Sequence, residues 1–119
     1  KTIFIKKKYT IIGYKGKQVR DNLHSYDLIN CFWEFFKKPK KGVVYNIGGG
    51  RFSNCSILEA INEIELIAKI KIKKKIIKQN RIGDHIWYIS DNKKFKKDYP
   101  NWIQRYNAKK IIKELIREL

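Results

Sequence analysis

Two stretches far apart in the chain each set an arginine close to an aspartate. They are Val19-Arg20-Asp21-Asn22-Leu23-His24-Ser25-Tyr26-Asp27 and Arg81-Ile82-Gly83-Asp84-His85-Ile86-Trp87. A planar guanidinium grips a phosphate through two parallel N–H bonds, and a carboxylate beside it can accept hydrogen bonds from a diol. Arg20, Arg81 and Asp84 are therefore the residues whose chemistry is most specific. Their scarcity adds weight: of the 28 basic residues only five are arginine and the rest are lysine.

The elements that must position these motifs are legible from periodicity. Tyr9-Thr10-Ile11-Ile12 reads as a short strand ended by Gly13-Tyr14-Lys15-Gly16, and the polar loop 13–22 carries the first motif. Over 26–37, Leu28, Cys31, Phe32, Phe35 and Phe36 make a helical stripe, capped by Ser25 or Asp27 and stopped by Pro39. His24 reads as satisfying a backbone group at that helix start. Val43-Val44-Tyr45-Asn46-Ile47 has the composition of a buried strand and runs into three glycines. Ser56-Ile57-Leu58-Glu59 is a capping box, opening a helix over 56–69 with Ile57, Ile61, Ile64 and Ile67 on one stripe. Residues 71–78 read as a strand with a charged edge, 81–84 as a turn and 86–89 as a short apolar segment. Asp91 reads as the N-cap of a short helix ending near Tyr99-Pro100. The helix 108–118 aligns Ile111, Ile112, Leu115, Ile116 and Leu119. The whole is one domain, residues 1–119, of α/β class: a small mixed α/β layer.

Several chemistries are excluded or set aside. Gly48-Gly49-Gly50 fails the G-x-G-x-x-G dinucleotide pattern, because Ser53 falls at the third glycine, and no Gly-Lys-Ser/Thr follows. The glycines read instead as a tight backbone passage. Tyr106 and Lys110 have Tyr-x-x-x-Lys spacing, but at the mouth of the terminal helix of a lysine-rich chain, and the match is set aside as chance. Cys31 and Cys55 match no metal spacing and read as free thiols, so no metal site is expected. The formal charge of +17 raises the alternative of a small basic nucleic-acid-binding module. The lysines are scattered over separate elements, however, and read as a solvated surface, so no nucleic-acid partner is expected. No signal peptide or membrane-length apolar run is seen, which implies a cytoplasmic protein with no membrane partner. The opening Lys1-Thr2-Ile3-Phe4-Ile5, without methionine, reads as the tail of a helix from a longer protein.

Taken together, Gly13-Tyr14-x-Gly16-x-Gln18-Val19-Arg20-Asp21, Tyr45-Asn46-Ile47-Gly48-Gly49, Arg81-x-Gly83-Asp84 and Ser90-Asp91 resemble the carboxy-terminal part of the NAD-dependent nucleotide-sugar epimerases and dehydratases, extended short-chain dehydrogenases. The nearest branch is that of CDP-paratose 2-epimerase (CDP-tyvelose epimerase), on Tyr14 to Asn22, Arg51 to Ser56 and Gly83 to Trp87. The resemblance implies a substrate-binding domain whose NAD-binding domain lies upstream. NAD would be bound there and not by this chain, which would have no catalytic residue and no turnover of its own. It implies a nucleotide-sugar partner, CDP-linked, with Arg20 and Arg81 clamping the diphosphate and Asp84 reaching the ribose hydroxyls. Tyr14 and Gln18 would lie beside the base, and Arg51, Ser53 and Asn54 would border the substrate. A dehydratase or 4-epimerase of the same family is the enzymatic alternative. The chain alone would be a monomer and its parent a homo-oligomer.

Overall fold

Ile11 and Ile61 are placed by two different periodicities, a strand and a helix, and meet in one core. In the computed structural model, which describes residues 8–80 and 82–118, strand β1 (Tyr9–Ile12) buries Ile11 completely. It pairs in parallel with β4 (Lys74–Ile77), Tyr9 opposite Lys74 through Ile12 opposite Ile77. A parallel pair needs a long crossover, and here it contains both central helices. The expected strand 71–78 thus shortens, because Ile72 leaves the ladder for the core and its N–H goes to Glu65 Oε1 at 2.8 Å.

A second sheet holds the first motif at its centre. β2 (Val19–Asp21) lies between β3 (Asn54–Ser56), antiparallel, and β5 (Trp87–Tyr88), parallel. Arg20 stands opposite Cys55 on one side and Tyr88 on the other. Parallel and antiparallel pairs with packed helices make this the small mixed α/β layer that the sequence implies.

Helix α1 (Ser25–Lys37) is capped by His24 rather than Ser25: Tyr26 N–H donates to His24 Nδ1 at 3.1 Å. Asp27 does not cap its own helix either. It is fully buried and accepts from the backbone N–H groups of Arg105 and Tyr106 at 3.0 Å each, while Trp102 Nε1 donates to its carbonyl. A buried carboxylate needs hydrogen-bond donors around it, and through them the first turn of α1 clasps the 102–106 segment. Helix α2 (Ile57–Ala68) carries the expected capping box, with both Ser56–Glu59 bonds formed, and closes on Lys69 in a left-handed conformation. In α3 (Lys93–Asp98) the N-cap position is Asn92, not Asp91; the Asp91 carboxylate accepts from Lys93 N–H at 2.9 Å. α4 (Ala108–Arg117), capped by Asn107, packs on α2.

Two cores result. Ile11, Ile61 and Ile72 form one beneath β1 and α2, while Cys31, Phe95, Tyr99 and Trp102 form the other between α1 and α3. Phe95 meets Trp102 edge-on at 5.2 Å, a favoured aromatic geometry. The strand expected over 43–47 does not form. Tyr45 and Ile47 turn inward onto this aromatic cluster and Val44 points out, yet the segment has no ladder partner among the described residues. The reading of residues 1–5 as a helix tail, and Leu119 of the last stripe, lie outside the described residues.

Candidate functional site

Four consecutive residues after β1 adopt positive φ: Gly13 (77°), Tyr14 (45°), Lys15 (52°) and Gly16 (78°). Glycine does this freely, but Tyr14 and Lys15 do so at a cost that the surroundings must offset. Tyr14 N–H donates to Asn80 Oδ1 at 2.9 Å, and its hydroxyl donates to the carbonyl of Asp84 at 2.9 Å. The left-handed turn therefore reaches across to the second motif. Gln18, on the way to β2, is buried; its Nε2 donates to Ile12 carbonyl at 2.8 Å and its Oε1 meets no described donor.

Arg20 sits at the middle of β2 with its guanidinium directed to the same place. Nη1 donates to Val19 carbonyl at 2.7 Å, and Nη2 donates to His85 carbonyl at 2.6 Å and to the Asp84 carboxylate, an ion pair. Of the five guanidinium N–H groups, Nε–H and one on Nη1 meet no described acceptor. The carboxylate's Oδ2 is likewise not among the described bonds. Among the described residues, Tyr14, Arg20 and Asp84 are thus brought together, a partly exposed ion pair with donor and acceptor groups that no other described residue takes up. Arg81 lies outside the described residues.

Other expected residues lie elsewhere. Asn54 spends its amide on the carbonyls of Gly50 (3.1 Å) and Arg51 (3.0 Å), and lines clefts with Phe52 that Arg20 and Asp84 do not line. Ser53 is fully buried, which removes it from any surface contact. Tyr106 stacks on His24 at 3.9 Å, and Lys110 Nζ donates to Arg105 carbonyl. His24 Nε2 also faces Glu114 at 3.1 Å.

Asp21 has a role that sequence reading missed. Its Oδ2 accepts from Gly50 N–H (2.8 Å) and Ser90 N–H (3.0 Å), tying β2 to the glycine passage and to the segment after β5. Burial pushes its pKa up, but these bonds and the Ser90 hydroxyl outweigh burial and hold it below the ordinary carboxylate value. The glycines were the available signal. A Cβ on Gly48 would meet Ser90 Oγ and the Asp21 carboxylate, and one on Gly49 would meet the carbonyl oxygens of Asn22 and Ser53. This passage is filled by protein.

Among the described residues no group of three His, Cys, Asp or Glu could hold a metal. Both cysteines are free; burial pushes Cys31 up to about 11 and also raises Cys55. No described helix is long and apolar enough to cross a membrane.

No protein-family model matches the chain. It is 30% identical over 113 residues to the CDP-paratose 2-epimerase of Salmonella typhi, covering 93% of this chain and 32% of that protein. Its fold matches the UDP-glucuronic acid 4-epimerase from Bacillus cereus, solved with UDP-glucuronic acid and NAD, at a TM-score of 0.82 and 24% identity, over 98% of this chain and 37% of that one. The UDP-glucose 4-epimerase from Bifidobacterium longum, solved with NAD+ and UDP, matches at 0.74 and 27% identity, over 90% and 33%. In sequence and in fold the chain is similar to part of the NAD-dependent nucleotide-sugar epimerases. It spans about a third of the length of the relatives it matches.

Proposed function

We propose that the chain is the substrate-holding part of an NAD-dependent nucleotide-sugar epimerase of CDP-paratose 2-epimerase type. Arg20, with Arg81, grips the nucleotide diphosphate, and Asp84 accepts from the ribose diol. One observation carries this reading: Arg20 and Asp84, 64 residues apart, meet in an ion pair, with Tyr14 anchored on Asp84. Asp84 and His85 aim the guanidinium, whose remaining N–H groups can take a phosphate oxygen each.

Tyr14 and Gln18 border the base in this reading. The NAD held by the rest of such an enzyme supplies the hydride exchange at the sugar. This chain supplies binding and orientation: anchoring the diphosphate far from the reacting carbon fixes the substrate while leaving the sugar ring room to present either face.

Titrating CDP-, UDP- and dTDP-linked sugars into the complete enzyme tests the proposal. Binding of the CDP-linked sugar, weakened by Arg20→Ala and spared by Lys74→Ala, is the expected outcome. Equal affinity of the Arg20→Ala variant sinks the site, and a preference for UDP or dTDP moves the chain to the 4-epimerase or dehydratase branch. The purified 119-residue chain should carry no NAD and show no turnover; stoichiometric NAD on it would contradict the assignment of the cofactor to the remainder.

A further inference from the structure

A second cleft opens on the face of the sheet turned away from Arg20. Side chains alternate along a strand, so residues in register with one another share a face. Arg20 stands opposite Cys55 and Tyr88, whereas Asp21 stands opposite Asn54 and Val19 opposite Trp87. Asn54 and Trp87 line a cleft of about 810 Å³ that neither Arg20 nor Asp84 borders. A cleft of this size can take a small molecule.

Its walls carry rings and cations. Phe52 and Trp87 leave 48% and 64% of their surface exposed. Arg51, Lys93 and Lys96 bring three positive charges against one carboxylate, that of Asp91, which lies 3.9 Å from Lys93 Nζ. Among the described residues, neither the Arg51 guanidinium nor the Lys96 ammonium is paired with a carboxylate.

Gln104 adds an independent observation. It is buried, and its Nε2 donates to the carbonyls of Gly48 and Gly49 at 3.2 and 3.1 Å, which fixes the nitrogen end of the amide. The Oε1 that remains meets no described donor, although Gln104 lines the cleft. A buried acceptor left unmet is costly, so a ligand N–H or O–H delivered there removes a penalty.

We infer that this cleft is a second ligand site and that its ligand is a nucleoside monophosphate. The base lies against Phe52 and Trp87, Arg51 takes the phosphate with Lys93 and Lys96 beside it, and Gln104 Oε1 accepts from a ligand N–H or hydroxyl. Aromatic stacking tolerates any base, while the guanidinium fork matches a phosphate. An inorganic anion would leave both rings and Gln104 unused. Gly50 and Ser90, which Asp21 holds, also line the cleft, so this site and Arg20 share strand β2 from opposite faces.

AMP is the probe, because the Arg20 site is proposed for a cytidine-linked sugar. In calorimetric titration, AMP should bind the complete enzyme and its Arg20→Ala variant alike, at one equivalent. It should also quench a tryptophan fluorescence component that Trp87→Leu removes. Arg51→Ala should weaken AMP about tenfold or more and leave the circular dichroism unchanged, whereas Lys74→Ala should do nothing. Inorganic phosphate should bind more weakly than AMP. No binding of AMP at millimolar concentration overturns the inference, as does binding that survives both Arg51→Ala and Trp87→Leu. Loss of AMP on Arg20→Ala would place it in the substrate site and overturn the second one. Phosphate binding as tightly as AMP overturns the nucleotide, and so does a single-stranded oligonucleotide that displaces AMP at far lower concentration. Should Arg51→Ala fail to fold, Lys96→Ala decides in the same way.

Discussion

In the proposed role, Arg20 is a side chain prepared for its ligand before the ligand arrives. Two backbone carbonyls and the Asp84 carboxylate hold its guanidinium, so part of the ordering cost falls on folding rather than on binding. Replacing it with Ala should cost about 1.5–3 kcal/mol in nucleotide-sugar affinity, roughly ten- to a hundred-and-fifty-fold by titration. Lys should restore only part of this, because a point ammonium lacks the fork. Asp84→Asn should cost less, since the amide oxygen still accepts one hydrogen bond. Asp21 predicts a pH effect. Its folded pKa lies below the ordinary value, so its contribution is fully present above about pH 4 and is lost as pH falls through the folded pKa. The melting-temperature gap between the native chain and Asp21→Asn should therefore be wide at neutral pH and close in acid. A gap that does not change between the two would remove Asp21 as the charged knot between its loops.

At the scale of elements, the joints are more vulnerable than the faces. The Ser56–Glu59 box satisfies two N–H groups at the start of α2, and hydrogen bonds to Ser56 hold Glu59 below the usual carboxylate range. Ser56→Ala should lower stability by about 1 kcal/mol, read from the denaturant midpoint. Gly49→Ala is expected to be worse, at about 3 kcal/mol or more, because the new methyl would meet two backbone carbonyls, neither of which can rotate away. If Gly49→Ala is as stable as the native chain, the passage is looser than its geometry implies. The Asp27 clasp on Arg105 and Tyr106 belongs to the same class of joint, and Asp27→Ala would leave two N–H groups unpaired.

Across the whole molecule the charge is spread rather than aimed. The chain is a slab of 48 × 34 × 18 Å, and the lysines of α1, β4, α3 and α4 all reach solvent. Lys74→Ala should leave nucleotide-sugar affinity unchanged within error, since its side chain is exposed at the β1–β4 edge. Lys94 is different: its ammonium bonds Val44 carbonyl and lies 5.4 Å from the Tyr45 ring centroid, so it supports the unpaired strand segment. A loss of affinity on Lys74→Ala comparable with that on Arg20→Ala would show that the charge excess itself binds the ligand.

Local chemistry was enough to read β1, the capping box and the extents of α1, α2 and α4, because each depends on neighbours within a few residues. The glycine passage was legible as a close approach, although what approaches it was not: Asp21, Ser90, Asn22 and Ser53 come from other loops. His24 took the cap from Ser25, and Asp27 left its own helix, because each side chain could satisfy more than one local pattern and a distant segment decided between them. Residues 43–47 have the composition of a strand at any scale of sequence, but a strand exists only with a neighbour to share its hydrogen bonds, and among the described residues none is present. The meeting of Arg20, Tyr14 and Asp84 is likewise a product of tertiary structure, since a left-handed turn, a strand centre and a distant loop converge only once β2 is paired with β5.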